Sequence, residues 1–129
     1  KEIKKIAIAN PKTAPYGKAT VQALKNAKIY DLISNKFVYA ESISQTVTYA
    51  TRATDVGFIA KSSLYSSKMR RYKKDIDWID LESSLYTPIN QGIIILKNSN
   101  NSNEAKAFYD FILSAKAKMI FKEFGYLIP

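Results

Sequence analysis

The sequence predicts an α/β domain in which a mostly parallel sheet is flanked by helices. Three short apolar runs, at residues 6–9, 37–40 and 56–60, have the composition of strands that are covered on both faces. A polar turn and a helical pattern follow each of the first two runs. Strands that alternate with helices form βαβ units with right-handed crossovers, so we expect these strands to be parallel.

The first unit joins a strand to a helix start that is marked by proline. Asn10-Pro11 ends the strand, because proline lacks the ladder donor and biases the residue before it toward extended geometry. Pro15 suits the first turn of a helix, where its missing N–H would have no partner in any case. This arrangement favours anion binding, although an ordinary hydrated connection explains the same pattern. The backbone N–H groups concerned are those of Tyr16, Gly17 and Lys18.

The second unit repeats this arrangement after residues 37–40. Ser42 is a good N-cap residue for a helix that runs to Arg52, and Gln45 stands three residues later, as in a capping box. Two helix N-termini at the carboxyl ends of two strands are expected to converge on one crevice. Capping alone also explains Ser42 and Ser44, so the pattern leaves both roles open.

Two more strands are predicted after the second helix, in addition to residues 56–60. Gly57 inside that third strand marks a kink or the close approach of another backbone. Residues 76–81 alternate apolar and polar side chains, which predicts a half-buried edge strand. Residues 93–96 are the most apolar run of the chain and predict a further strand.

A long amphipathic helix is predicted from about residue 104 to residue 123, with Gly125 as its C′ residue. Its apolar side chains form one wide stripe, which requires a large apolar partner. The three-strand sheet cannot easily be that partner, because its own helices already cover it. The sequence therefore predicts that residues 93–96 and this helix belong to another domain.

Composition excludes several classes of function. The chain has 129 residues, of which 47% are hydrophobic, and this is enough to form a core. It contains no Cys and no His, so thiolate metal sites and cysteine nucleophiles are excluded and the commonest general base is missing. We find no nucleophile beside a base, no phosphate-binding glycine loop and no cluster of metal ligands. We therefore predict no enzyme, no catalytic residue, no metal and no cofactor.

The formal charge of +9 raises the alternative of a nucleic-acid-binding domain. The dense basic cluster lies at residues 68–74, where Tyr72 stands among the cations. Such a run can follow a phosphate backbone, and binding to a duplex would then depend steeply on salt. No nucleic-acid-binding motif accompanies the charge, so a solvated loop or helix face is favoured and no nucleic acid partner is predicted.

Six segments are spread, in order, over nearly the whole chain: ANPKTAPYGKA at residues 9–19, YAESISQ at 39–45, DVGFIAKS at 55–62, YTPINQG at 86–92, AFYDFI at 107–112 and IFKEFGY at 120–126. Together they resemble the second half of the periplasmic molybdate-binding proteins of ABC transporters.

The resemblance implies a type II periplasmic-binding-protein-like fold, which has two lobes and a ligand cleft between them. Residues 1–91 would form the second, ligand-binding lobe. Residues 92–129 would return as a strand and helix to complete a first lobe that is mostly absent from this chain. This reading also accounts for the apolar stripe of the last helix, which lacks a partner in the three-strand unit.

The resemblance further implies the solute-binding component of an ABC importer, with molybdate, and also tungstate, as the oxyanion ligand. The positions carried over from the family are the backbone N–H groups of Tyr16 and Ile43. Further candidate positions are Gly17, Ser42, Ser44, Ala60 and Lys61. Some family members have a Tyr hydroxyl just after the third strand, where this chain has Ala60. The resemblance implies a membrane permease as partner and a periplasmic or extracytoplasmic location.

Two alternatives remain beside the importer. One is the effector-sensing domain of a transcriptional regulator, and the other is a receptor of the same fold for sulfate or another small anion. The apolar segments without partners also predict that the isolated chain self-associates to cover them. Light scattering at high concentration tests this expectation, and a clean monomer would contradict it.

Overall fold

Three parallel strands form the sheet at the centre of the chain: β1 (Ile6–Ala9), β2 (Phe37–Ala40) and β3 (Val56–Gly57). Their order is β2-β1-β3, so the first strand of the chain occupies the middle of the sheet. All four residues of β1 are buried, as expected for a central strand that is covered on both faces. The predicted mostly parallel sheet is confirmed.

The computed structural model describes residues 2–98 and 101–128. Within it the chain divides into two units, Lys1–Ile89 and Asn90–Pro129. The first unit contains the sheet together with the helices α1 (Pro15–Asn26), α2 (Tyr30–Ile33), α3 (Ile43–Arg52) and α4 (Lys61–Leu64). The second unit contains α5 (Ser102–Ile112) and α6 (Ala115–Glu123).

Helix α1 begins at Pro15, as the sequence predicts. It ends in a Schellman motif, since the N–H of Ile29 donates to the carbonyl of Leu24 and the N–H of Lys28 donates to the carbonyl of Lys25. Lys28 is the left-handed residue of this motif, with φ of 59°. The hydrogen bonds of the motif fix the point at which α1 stops and the chain turns toward α2.

Several of the buried side chains in and around β1 are small. Helix α3 packs against all three strands, and its Thr46 is fully buried. The hydroxyl of Thr46 donates to the carbonyl of Ser42 at 2.9 Å, so this buried polar group is satisfied. Ala7, Ala9 and Ala40 are buried as well. The short side chains let the helices approach the sheet backbone closely.

Two amide side chains on α1 hold the segment that leads out of the first unit. Gln22 donates from Nε2 to Oγ1 of Thr87 at 3.0 Å, and its Oε1 accepts from the N–H of Thr87 at 2.9 Å. Asn26 donates to the carbonyl of Leu85 at 2.8 Å. These three bonds join parts of the chain that are far apart in sequence.

The structure corrects two strand predictions in the first unit. Strand β3 is shorter than residues 56–60: Phe58 still donates to the carbonyl of Ala7 at 2.9 Å, but the chain then turns into α4. Residues 76–81 form no strand. Asp75 instead adopts a left-handed conformation and its N–H donates to the carbonyl of Trp78 at 2.7 Å, which closes a tight turn. The alternating pattern therefore belongs to a turn with an extended exit, where Ile76 is 79% exposed.

The second unit also differs from the prediction. Residues 93–96 form no strand, because the described part of this unit offers no neighbouring strand to complete a ladder. The predicted single helix is two helices, since Ser114 starts a new one and its hydroxyl accepts from the N–H of Ala117 at 3.3 Å. Gly125 has φ of 78° and lies at C′, as predicted. Among the described residues, no helix is both long enough and apolar enough to cross a membrane.

Candidate functional site

The carboxyl ends of β1 and β2 lie side by side. Ala9 pairs with Ala40 at the end of the ladder, and the N–H of Asn10 donates to the carbonyl of Ala40 at 2.8 Å. Helix α1 follows β1 after a short loop, and α3 follows β2 after two residues. The two helix starts that the sequence singles out therefore emerge from neighbouring strands at one edge of the sheet.

The first turn of α1 lies directly on the end of β1. Gly17 is buried there, and a Cβ added to it would overlap the carbonyl oxygen of Ala9 and lie 2.8 Å from the carbonyl carbon. The carbonyl of Ala14 accepts from the N–H of Lys18, and no side chain caps this helix. Tyr16 and Gly17 thus bring their backbone N–H groups into the first turn, close to the strand end.

The start of α3 has the predicted N-cap. The hydroxyl of Ser42 accepts from the N–H of Gln45 at 3.1 Å. The Gln45 side chain returns toward the cap, but its Oε1 accepts from the N–H of Glu41 at 2.8 Å, one residue before the position used in a regular capping box. Across residues 2–98 and 101–128, no protein group accepts from the N–H of Ile43 or of Ser44.

Two loop side chains connect the turns that precede the helices. Asn10 donates from Nδ2 to Oε1 of Glu41 at 3.4 Å, and its Oδ1 accepts from the N–H of Lys12 at 3.0 Å. The Asn10 side chain therefore orders its own loop and contacts the loop after β2. The sequence pattern does not single out Asn10 or Glu41 as site residues. The only signal was indirect: Asn before Pro indicates an ordered turn.

The structure places Ala60 and Lys61 at the start of α4, a helix of four residues. Ala60 is buried and carries no polar side-chain atom. The ammonium of Lys61 lies 2.9 Å from Oδ1 of Asp80, whose Oδ2 lies 3.0 Å from the ammonium of Lys74. The charge of Lys61 is thus engaged by a carboxylate, which reduces its capacity to serve an anion.

The two lysines that flank Asp80 change its ionisation. Hydrogen bonds from Lys61 and Lys74 lower the pKa of Asp80, and the hydrogen bond to Asp80 raises the pKa of Lys74. A lowered carboxyl pKa gives stability that is present above the unfolded-state pKa and is lost as the pH falls through the folded-state value. The raised pKa of Lys74 gives stability that is lost only as the pH rises through its folded-state value. Both contributions are therefore present at neutral pH, and both are small because the groups are exposed.

The fold and the paired helix starts define an α/β domain of the solute-binding class. The family described as "Bacterial extracellular solute-binding protein" matches residues 1–127. The chain belongs to this family. Its members are binding proteins, which confirms the prediction that the chain is not an enzyme. In the described part of the chain, no group of acidic side chains could hold a metal ion.

Individual sequence relatives agree with this membership. The chain is 32% identical to the molybdate-binding protein ModA of Rhodobacter capsulatus, over 98% of this chain and 48% of that protein. It is 36% identical to ModA of Azotobacter vinelandii, over 95% of this chain and 48% of that protein. A putative ABC transporter substrate-binding lipoprotein of Bacillus subtilis, YvgL, is 27% identical over 97% of this chain and 46% of its own length. The chain thus spans about half the length of these relatives.

Solved structures show the same fold. The periplasmic molybdate-binding protein of Azotobacter vinelandii superposes with a TM-score of 0.87 at 29% identity, over 100% of this chain and 56% of that one. The substrate-binding domain of a putative molybdenum ABC transporter from Clostridium difficile gives 0.63 at 29% identity, over 96% of this chain and 52% of that one. The predicted resemblance and fold class are confirmed.

Proposed function

We propose that this chain is part of the solute-binding component of an ABC importer and binds a tetrahedral oxyanion, molybdate and also tungstate. The observation that carries the proposal is the convergence of α1 and α3 at the carboxyl ends of the paired strands β1 and β2. Helix N-termini favour anions, because their first N–H groups and the helix dipole both direct positive charge outward. The names of two relatives support molybdate as the oxyanion. Tungstate is proposed because it is a tetrahedral dianion as well.

The proposed ligands are the backbone N–H groups of Tyr16 and Ile43. Both lie in the first turn of a helix of ten residues or more. Further donors would come from the neighbouring positions Gly17, Ser42 and Ser44. The N–H groups of Ile43 and Ser44 can donate to a ligand without breaking a bond to the described part of the protein. Since backbone donors do not titrate, affinity should change little across neutral pH.

The remaining candidates, Ala60 and Lys61, are weaker. Ala60 offers only its backbone, and the ammonium of Lys61 would have to leave Asp80. Selectivity among tetrahedral dianions would then rest mainly on the size of the cavity.

We further propose that residues 1–91 form one lobe of a two-lobed receptor, and that residues 92–129 contribute to the other lobe. Exposed apolar side chains in the second unit support this division, since Phe108 is 58% exposed and Met119 is 61% exposed. The other lobe would supply further ligands. The receptor would act outside the cytoplasm and deliver its ligand to a membrane permease. Self-association of the isolated chain remains a prediction.

Titration of the ¹⁵N-labelled chain with molybdate, followed by NMR, tests the proposed ligands directly. The amide resonances of Tyr16, Gly17, Ile43 and Ser44 should shift more than those of the rest of the chain, because their N–H groups face the anion. Tungstate should give the same pattern, and sulfate should require a higher concentration. Shifts confined to the basic residues 68–74 would indicate nonspecific anion binding and contradict the proposal.

A further inference from the structure

Four hydrogen bonds run in series across the edge of the sheet that carries the proposed site. The N–H of Lys12 donates to Oδ1 of Asn10, and Nδ2 of Asn10 donates to Oε1 of Glu41. The N–H of Glu41 donates to Oε1 of Gln45, and the N–H of Gln45 donates to the hydroxyl of Ser42. The series begins in the loop before α1 and ends in the cap of α3.

One bond of this series joins two side chains, that between Asn10 and Glu41. Asn10 is half-buried in the loop that follows β1, and Glu41 is exposed in the loop that follows β2. The backbone ladder fixes the strands up to the bond between Asn10 and the carbonyl of Ala40. Beyond that point, among the described residues, the side chains of Asn10 and Glu41 join the two loops by a direct hydrogen bond of 3.4 Å.

The carboxylate of Glu41 is unexpected at the mouth of an anion site. Its negative charge opposes a dianion, so charge alone predicts that Glu41 weakens binding. Its hydrogen bond acts in the opposite direction, because it fixes the spacing of the loops that carry the first turns of α1 and α3. A site made of fixed dipoles works through that spacing, since its donors must lie at hydrogen-bond distance from a rigid tetrahedral ion.

We propose that Glu41 is a positioning residue for oxyanion binding: its carboxylate holds the Asn10 loop and thereby sets the distance between the two helix starts. The proposal rests on the proposed function. On this proposal, the affinity gained from the hydrogen bond of Glu41 exceeds the affinity lost through the repulsion of its charge. Glu41 also improves discrimination between anions of different size. A binding site whose donors are less constrained would accept the smaller sulfate almost as readily as molybdate.

The substitution Glu41→Ala distinguishes the hydrogen bond from the charge, because the loss of each should change the affinity in opposite directions. Loss of the bond should raise the dissociation constant for molybdate about two-fold, the lower end of the range for one hydrogen bond, because this bond is 3.4 Å long and exposed. It should also reduce the preference for molybdate over sulfate. Loss of charge alone would tighten the binding of both ions. Glu41→Gln keeps an oxygen that accepts from Asn10 but removes the charge, so it should bind molybdate at least as tightly as the wild type. NMR titration of each labelled variant with molybdate and with sulfate gives all of these constants.

Asp31→Ala is the matched control. Asp31 is an exposed carboxylate in the first turn of α2, and its removal changes the net charge by the same amount without touching either loop. This variant should leave the preference between the two ions unchanged. Unchanged or tighter binding by Glu41→Ala, or equal losses in the Ala and Gln variants, would overturn the proposal. A wild type that binds neither ion, both as this chain and when joined to the other lobe of the proposed receptor, would overturn the proposed function itself. That result is distinct from a wild type that binds while Glu41→Ala keeps the wild-type affinity and preference.

Discussion

Replacing Gly17 with alanine is expected to remove oxyanion binding and to lower the free energy of unfolding by about 3 kcal/mol or more. The added methyl group would overlap the carbonyl oxygen of Ala9 and lie 2.8 Å from the carbonyl carbons of Ala9 and Asn10. These atoms belong to the backbone at the end of the central strand, so they cannot rotate away as a side chain would. The first turn of α1 must therefore lift off β1, and the N–H of Tyr16 moves with it.

Urea denaturation and molybdate titration of the Gly17→Ala variant measure the two effects. Gly92→Ala is the matched control, because a Cβ at Gly92 meets no atom within 4 Å. That variant should stay within about 0.5 kcal/mol of the wild type. A Gly17→Ala variant with wild-type stability and wild-type affinity would show that α1 does not contact the strand end as described.

The second large effect is expected at Gly57, in strand β3. Gly57→Ala should lower the free energy of unfolding by about 2 kcal/mol, because its new methyl group would overlap Cβ of Ala50 on α3. The same methyl group would lie 3.1 Å from Cα of Ala50 and 3.4 Å from Cβ of Ala7. The first obstacle here is a side chain, in contrast to the backbone obstacle at Gly17.

A double-mutant cycle with Ala50→Gly tests this contact. Ala50→Gly alone should cost about 1 kcal/mol, the usual penalty for glycine in a helix. In that background, Gly57→Ala should cost clearly less than in the wild type, because the overlapping Cβ is gone. Urea denaturation of the four proteins gives the coupling energy. Strictly additive costs would mean that the loss at Gly57 does not come from Ala50.

The strands and helix starts of the first unit could be predicted because their signals are local. Residues 6–9 and 37–40 are apolar runs bounded by turn residues, and the structure gives both strands the predicted limits. Pro15 and Ser42 mark the helix starts through backbone chemistry that acts within one turn. The predicted anion site follows from these elements, and its individual ligands remain predictions.

The errors occurred where the outcome depends on distant partners. Residues 93–96 have the composition of a buried strand, but a strand also requires a ladder partner, which composition does not report. The alternation at residues 76–81 satisfies a strand pattern, yet the left-handed Asp75 and its bond network form a turn. The contact between Asn10 and Glu41 could not be predicted for a similar reason, since it joins two loops that are far apart in the sequence.

The central place of β1 has a consequence for how the protein folds during synthesis. Ile6 leaves the ribosome well before Phe37 and Val56, the two residues with which it pairs. The sheet cannot grow by hairpins, and β1 keeps both edges open until each crossover helix has returned the chain to it. Nonlocal pairing of this kind slows folding. An apolar strand with two unpaired edges also invites aggregation, so the nascent chain is most vulnerable in the interval before β3 emerges.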